Sequence, residues 1–485
     1  MPTGVMLRLQ NIVNICNMLF NSFPFLLLFL PIVLGISLKL KGQALLIWLT
    51  LASFTFYAYA GHSWFLIPML ITTVLDFYIA PLLERTQQTW KRRFLLGISL
   101  IGNLGLLFYF KYSGLILLTC QDSILKWFGI QWGHQLLSFL SVALPAGISF
   151  YTFQTLSYII DVYRRTAHAE KNFWKFACFV SFFPHLIAGP LTRHYQLIPA
   201  LSKLKEEGIH PRWREGLFVF VIGLNKKILF ADRIAILVDS YVVDVRSMTF
   251  MTAWLAFLGY SFQIYFDFSA YSDMAIGLAR FFGIELPQNF NSPYKALNPS
   301  DFWRRWHITL SQWLRDYLYI PLGGNRHGTA RLLMNVLITM FLGGLWHGAH
   351  WIFAIWGLYH GGLLILYHLS QSYWDRTYIF FQRIITFLLI SLGWIFFRAN
   401  NFSDSKIWLQ KALGLSGFHY PAMGSPVEIV FWLILGLVIT QTLPNASSFK
   451  GFRTLAVPYQ IGLGALTALA VLFLNYSSRF LYYQF

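Results

Sequence analysis

A chain of 485 residues that is 56% hydrophobic and 12% charged, with a mean hydropathy of +0.55, cannot solvate its own surface as a water-soluble globule. Its 37 Lys and Arg against 19 Asp and Glu give a net charge of +18, which in a soluble chain would point to nucleic acid. Here the basic residues fall between long apolar runs, so nucleic acid is excluded as a partner and membrane lipid takes its place; the fold class is all-α, a polytopic membrane protein.

In chain order, apolar runs at 20–38, 44–60, 64–83, 94–119 and 136–160 are each long enough to cross a hydrocarbon core of about 30 Å. Lys39 and Lys41 follow the first, Arg85, Lys91, Arg92 and Arg93 the third, and Arg164, Arg165, Lys171 and Lys175 the fifth. The loop at 61–63 carries no Lys or Arg, and 121–135 has only Lys126. The positive-inside rule therefore places the basic loops in the cytoplasm, where they make a mouth attractive to an anionic substrate such as a coenzyme phosphate. The first run has no small-residue cleavage site after it and reads as a retained anchor.

Further runs lie at 173–189, 217–238, 252–283, 332–345, 351–369, 378–397, 427–443 and 457–476. Several are short or broken by Gly and Pro, so the expectation is about eleven transmembrane helices plus re-entrant or interfacial pieces. A break is expected at Pro184-His185, Gly189 and Pro190, and the polar stretch 193–215 reads as a cytoplasmic helix and loop. Asp267, Ser269, Tyr271, Ser272 and Asp273 decorate one apolar run; they either line a cavity or stitch helices together.

Asn298-Pro299-Ser300-Asp301 is a helix start, and Pro321 with Gly323-Gly324 ends the same element. Helical phasing over this stretch puts Trp303, Trp306, Leu310, Trp313, Leu314 and Tyr317 on one side, and Asp301, Arg304, His307, Ser311 and Arg315 on the other. The plain reading is an interfacial helix with tryptophans at headgroup depth and arginines facing water or lipid phosphate. The functional reading makes Arg304, Ser311 and Arg315 substrate-binding residues beside His307. The flanking cations are expected to depress the pKa of His307 and keep the imidazole neutral, as a general base requires.

A second ionisable group lies in an apolar stretch at Trp346-His347-Gly348, with Gly343 and Gly344 before it. Ionisable side chains at membrane depth are costly and usually functional, and the glycines permit close approach of a helix or a narrow substrate chain. His347 is the candidate base, with Trp346 beside it as a substrate-binding candidate. A satisfied core histidine is the plain alternative. His350 and His360 raise a metal site, since His347 and His350 share a face if the helix continues; no carboxylate or cysteine nearby completes a ligand set, and no metal is expected. Cys16, Cys120 and Cys178 show no paired spacing. No nucleophile elbow, Walker loop or dinucleotide fingerprint occurs.

The run 265–326, YFDFSAYSDMAIGLARFFGIELPQNFNSPYKALNPSDFWRRWHITLSQWLRDYLYIPLGGNR, with GGLWHGAHW at 343–351 and FFPHLIAGPLTR at 182–193, resembles the membrane-bound O-acyltransferase family. Within it the chain is similar to the bacterial branch of alginate and peptidoglycan O-acetyltransferase membrane subunits. The resemblance implies a ring of helices around a thin central funnel, formed by a single membrane-embedded domain, 1–485. It implies His347 as the catalytic histidine and His307 as the second active-site position, orienting the acyl group or donating a hydrogen bond to the developing oxyanion. It implies acetyl-CoA as a donor substrate, with no bound cofactor, and an extracytoplasmic SGNH-type acetyltransferase partner at the bacterial cytoplasmic (inner) membrane. Related chains begin close to a sequence like that at Met18, so residues 1–17 are read as an N-terminal extension. The competing class is a transporter or flippase with a histidine proton relay, for which inverted repeats are expected and none is found.

Overall fold

A backbone at membrane depth satisfies its own polar groups as a helix, and every regular element among the described residues is helical. The computed structural model describes residues 18–117, 119–120, 144–415, 417, 426–446, 456–478 and 480–481. The stretch read as an N-terminal extension, 1–17, and the start of the run 136–160 lie outside them.

The chain forms two compact units, one of Met1–Phe220, Met274–Pro287 and Val471–Tyr476, the other of Val221–Asp273, Gln288–Ala470 and Ser477–Phe485. In the first, α1 (Pro24–Ser37), α2 (Gly42–Ala60), α3 (Leu66–Arg85) and α4 (Thr89–Leu117) are followed by α5 (Ile148–Tyr163), α6 (Phe173–Ser181) and α7 (His194–Glu207). A buried carboxyl knits three of them: Ser99 Oγ and Asn103 Nδ2 of α4 donate to Asp76 of α3 at 2.5 and 2.9 Å, and Thr155 of α5 donates to Asn103 Oδ1 at 2.9 Å. Each polar group is thereby matched where no water reaches it.

The run 173–189 is helical only through Ser181, as its Pro and Gly anticipated. Residues 182–193 are irregular yet buried, which lipid-free protein surroundings permit at depth. Gln154 anchors them, donating to Phe179 O at 2.7 Å and facing His185 Nε2 at 3.2 Å.

Next come α8 (Trp213–Asn225), α9 (Asp232–Val242) and α10 (Phe250–Phe281). Two of the polar residues of α10, Asp267 and Asp273, are stitches. Lys227, in a π-helical turn after α8, is fully buried between Asp267 Oδ1 at 2.7 Å and Asp232 Oδ1 at 2.8 Å, and Lys226 pairs with Asp273 at 2.7 Å. Ser477 and Ser478 donate to Asp232, and Leu481 N donates to Asp267 at 2.8 Å, so the same charges fasten the C-terminal residues.

The second unit continues with α11 (Pro299–Arg305), α12 (Ile308–Leu314), α13 (Thr329–His347), α14 (Trp351–Trp374), α15 (Ile379–Arg398), α16 (Phe402–Ala412), α17 (Val427–Thr442) and α18 (Val457–Leu472). Helices α13 and α14 form a hairpin whose axes approach at glycines. A Cβ on Gly357 would fall 2.1 Å from Met340 O, and one on Gly344 2.2 Å from Phe353 O. The bare positions flanking His347 thus admit a neighbouring helix.

Six helices among the described residues are long and apolar enough to cross a membrane, accompanied by three shorter apolar ones, α1, α17 and α18. The chain is a multi-pass membrane protein. The sequence reading of about eleven spans also counts runs, 136–160 among them, that extend beyond the described residues.

Candidate active site

The stretch from Asn298 to Tyr319 is not one helix. Asn298 caps its start as expected, accepting from Asp301 N at 2.7 Å, but α11 ends at Arg305 and Trp306 is extended. His307 then takes left-handed backbone angles, φ +41° and ψ +53°, before α12 begins. Such a conformation costs a non-glycine residue of order 1–3 kcal/mol and persists only where surrounding structure enforces it. The enforcing segment is 289–291: Asn291 N donates to Arg305 O and Ile308 N to Asn289 O, both at 2.9 Å.

The break overturns the helical phasing. His307 leaves the face it would share with Arg304 and turns inward, with no exposed surface, while Arg304 stays exposed. Trp306 likewise faces the protein interior, buried with its ring 4.9 Å from Trp394 and 5.1 Å from Phe290.

Asn289 determines how His307 presents its nitrogens. Its Oδ1 accepts from Thr309 Oγ1 at 2.9 Å and from the Thr309 backbone N–H at 3.4 Å, so the oxygen end of the amide is the one turned toward this junction. His307 Nδ1 lies 3.1 Å from that oxygen and must carry the proton, leaving the Nε2 lone pair as an acceptor. Burial pushes the His307 pKa down to about 3. The neutral imidazole expected from the sequence is present, but loss of water produces it, whereas flanking arginines were the expected cause.

His347 is the last residue of α13, and its ring lies 6.4 Å from that of His307. Aromatic edges hold it: Trp346 and Trp356 at 5.1 Å and Phe397 at 5.4 Å. The helix ends there because Gly348 is extended, and a Cβ at that position would strike the Phe353 ring at 2.2 Å. His347 and His350 therefore do not share a helix face. His350 instead caps α14, its Nδ1 accepting from Ile352 N at 3.2 Å.

His347 opens onto a cavity of about 160 Å³ whose wall includes Trp303, Ser311, Arg315, Met340, Gly343 and Trp356. Of the residues singled out from the sequence, His347, Ser311 and Arg315 line it, and His307 adjoins it through His347. Arg315 is 60% exposed and paired to Asp316 at 2.7 Å. Trp346 packs edge-on to both histidines without lining the wall, and Arg304 does not reach it.

Sequence reasoning missed Asn289, which no local pattern distinguishes from its neighbours, and the walls given by Trp356 and Leu364 of α14. A signal did exist for the latter: they recur at helical spacing along a run otherwise read only as a span.

The model of the membrane-bound O-acyltransferase family matches residues 56–402. The chain is 38% identical to peptidoglycan O-acetyltransferase of Helicobacter pylori over 443 residues, 84% of this chain and 82% of that protein. It is 41% identical to a probable alginate O-acetylase of Pseudomonas aeruginosa over 391 residues, 79% and 72% of the two chains. A teichoic acid D-alanyltransferase of Bacillus subtilis is 28% identical over 56% of this chain and 71% of its own length.

Proposed function

The chain belongs to the membrane-bound O-acyltransferase family and is an O-acyltransferase; from that premise we propose that it moves an acetyl group from acetyl-CoA across the cytoplasmic membrane for O-acetylation of an envelope or exported polysaccharide. The observation that carries the reading is the histidine pair: His307 and His347, with rings 6.4 Å apart, beside a small, half-open cavity with largely apolar walls. The volume suits a short acyl group, and the names of the peptidoglycan and alginate relatives supply the substrate class. The transporter reading has no comparable support.

In the proposed reaction His347 acts as general base. It takes the proton of the acceptor hydroxyl as the oxygen attacks the thioester carbonyl; the carbon–sulfur bond then breaks and the proton passes to the departing thiolate. His307 has its Nδ1 proton committed to Asn289, so its Nε2 accepts. The reacting hydroxyl gives its single proton to His347, so His307 is suited to accept from a second donor on a substrate, such as an amide N–H of the acyl donor, and thereby orient the acyl group. Donation to an oxyanion, the other role expected, would need a second ring proton that a neutral imidazole lacks. Arg315 at the exposed rim, with the basic loops, offers charge to the donor's phosphates.

On the same reading the chain works in the bacterial inner membrane and an extracytoplasmic SGNH-type protein receives the acetyl group. Purified protein in proteoliposomes, given labelled acetyl-CoA, should release or transfer label in a manner abolished by His347→Ala. Equal turnover by wild type and that variant, both correctly inserted, would remove His347 from the mechanism.

A further inference from the structure

A third histidine lies behind the cavity wall, and nothing in the proposed reaction uses it. His360 of α14 has no exposed surface. Trp356, His360 and Leu364 are spaced four residues apart and share one helix face; Trp356 and Leu364 line the cavity, and His360 sits between them in sequence, behind the indoles of Trp356 and Trp303. Two indoles cover the imidazole: Trp356, with ring centres 4.8 Å apart, and Trp303 of α11, at 5.2 Å.

Polar chemistry in this recess is unmatched. Neither His360 Nδ1 nor Nε2 has a hydrogen-bond partner among the described residues, and the same holds for Trp303 Nε1 and Trp356 Nε1. Helix α15 offers Nε2 no polar partner, and its Gly393 is placed so that a Cβ would come within 2.9 Å of that nitrogen. Buried polar nitrogens without partners cost free energy, and an aromatic hydrocarbon of the same shape would avoid that cost. His360 already has the surroundings of a phenylalanine: Phe302, Tyr359 and Trp394 complete its ring contacts.

We propose that His360, with the indole N–H groups of Trp303 and Trp356, forms a polar seat at the inner wall of the cavity for one neutral oxygen of the substrate. The two indoles are donors only and a neutral imidazole adds one more donor, so the recess is donor-rich and complements an oxygen acceptor. In this proposal the substrate oxygen reaches the imidazole only when one of the two covering indoles swings aside. The seat lies one indole away from His347, since Trp356 touches both rings, so it holds the substrate and does not exchange protons with the reacting atoms. Two sources present such an oxygen: the acyl carbonyl of the donor and the hydroxyl of the acceptor. This inference rests on the acyl-transfer reading above.

The test compares His360→Phe, which keeps the ring and deletes the nitrogens, with His360→Gln, which keeps a donor and an acceptor. Both are reconstituted in proteoliposomes and assayed with acetyl-CoA, using water or N-acetylserinamide as acceptor. His360→Phe should unfold no earlier than wild type, yet lose at least about tenfold in kcat/KM, with His360→Gln recovering part of the loss. A raised KM for acetyl-CoA in hydrolysis assigns the oxygen to the donor; a raised KM for the alcohol alone assigns it to the acceptor. Wild-type kinetics in His360→Phe overturn the proposal, as does equal loss in both variants with lowered thermal stability, which would mark a packing role. Failure of the acyl-transfer reading is separately visible, because wild-type protein would then be inactive with both acceptors.

Discussion

His307 and His347 come from opposite sides of a helix–loop–helix stretch, and their rings meet 6.4 Å apart. One enters through a broken helix and the other through a helix end, so neither is presented by regular structure. Both breaks are fixed by contacts with other segments, Asn289 in the first case and Phe353 in the second.

If His347 is the base, His347→Ala should reduce acetyl transfer by roughly 10²–10⁴-fold without changing the amount of inserted protein. Initial rates in proteoliposomes, normalised to membrane-extracted protein, give the comparison. A loss below threefold would transfer the base role elsewhere.

Asn289→Ala removes the acceptor shared by His307 Nδ1 and Thr309. Three donors, His307 Nδ1, Thr309 Oγ1 and the Thr309 N–H, lose this acceptor, at about 1–3 kcal/mol for a buried donor left unmatched, and the His307 tautomer is no longer fixed. Both the melting temperature in detergent and kcat should fall, whereas Asn289→Asp, which retains the acceptor oxygen, should recover more of kcat than Asn289→Ala.

The depressed pKa of His307 makes a pH prediction. Its folded value of about 3 lies below the ordinary 6.5, so between these pH values the unfolded chain binds more protons than the folded one. Its contribution is therefore fully present above pH 6.5 and is lost as pH falls toward 3. Thermal melts of wild type should decline as pH falls from 6.5, and His307→Asn should show a shallower decline; parallel curves would contradict the burial argument.

Gly357→Ala places a methyl carbon against Met340 O, a backbone atom that cannot rotate away. The α13–α14 hairpin must spread, at about 1–3 kcal/mol, and His347 moves with it. The variant should melt earlier and lose activity, while Gly362→Ala on the same helix, where nothing lies within 4 Å of the new carbon, should do neither.

Lys227→Met leaves Asp232 and Asp267 buried without their cation. Breaking such a cluster costs about 3–5 kcal/mol, and here it also loosens the C-terminal residues that Ser478 and Leu481 fasten. Limited proteolysis should cleave the C-terminal segment faster in Lys227→Met than in wild type, with an unchanged pattern refuting the tether.

Much of this molecule is written locally. Membrane class, helical fold, the cap at Asn298, the break after Ser181 and the candidacy of His307 and His347 follow from composition, turn residues and the cost of ionisable groups in lipid. Helical periodicity failed at His307 because it assumes continuity, and only the hydrogen bonds from 289–291 decide that the helix stops there. The side chain of Asn289 in the same segment chooses the tautomer, and with it which nitrogen accepts. Pairing of Lys226 and Lys227 with Asp273 and Asp267, and the aromatic box around His360, likewise depend on residues far apart in the chain. The sequence by itself determined which chemistry the chain carries, because residue type and lipid solubility are properties of each segment. Where each group points was decided by tertiary contacts, since the free energy that holds a histidine in a left-handed conformation is supplied by its neighbours in space.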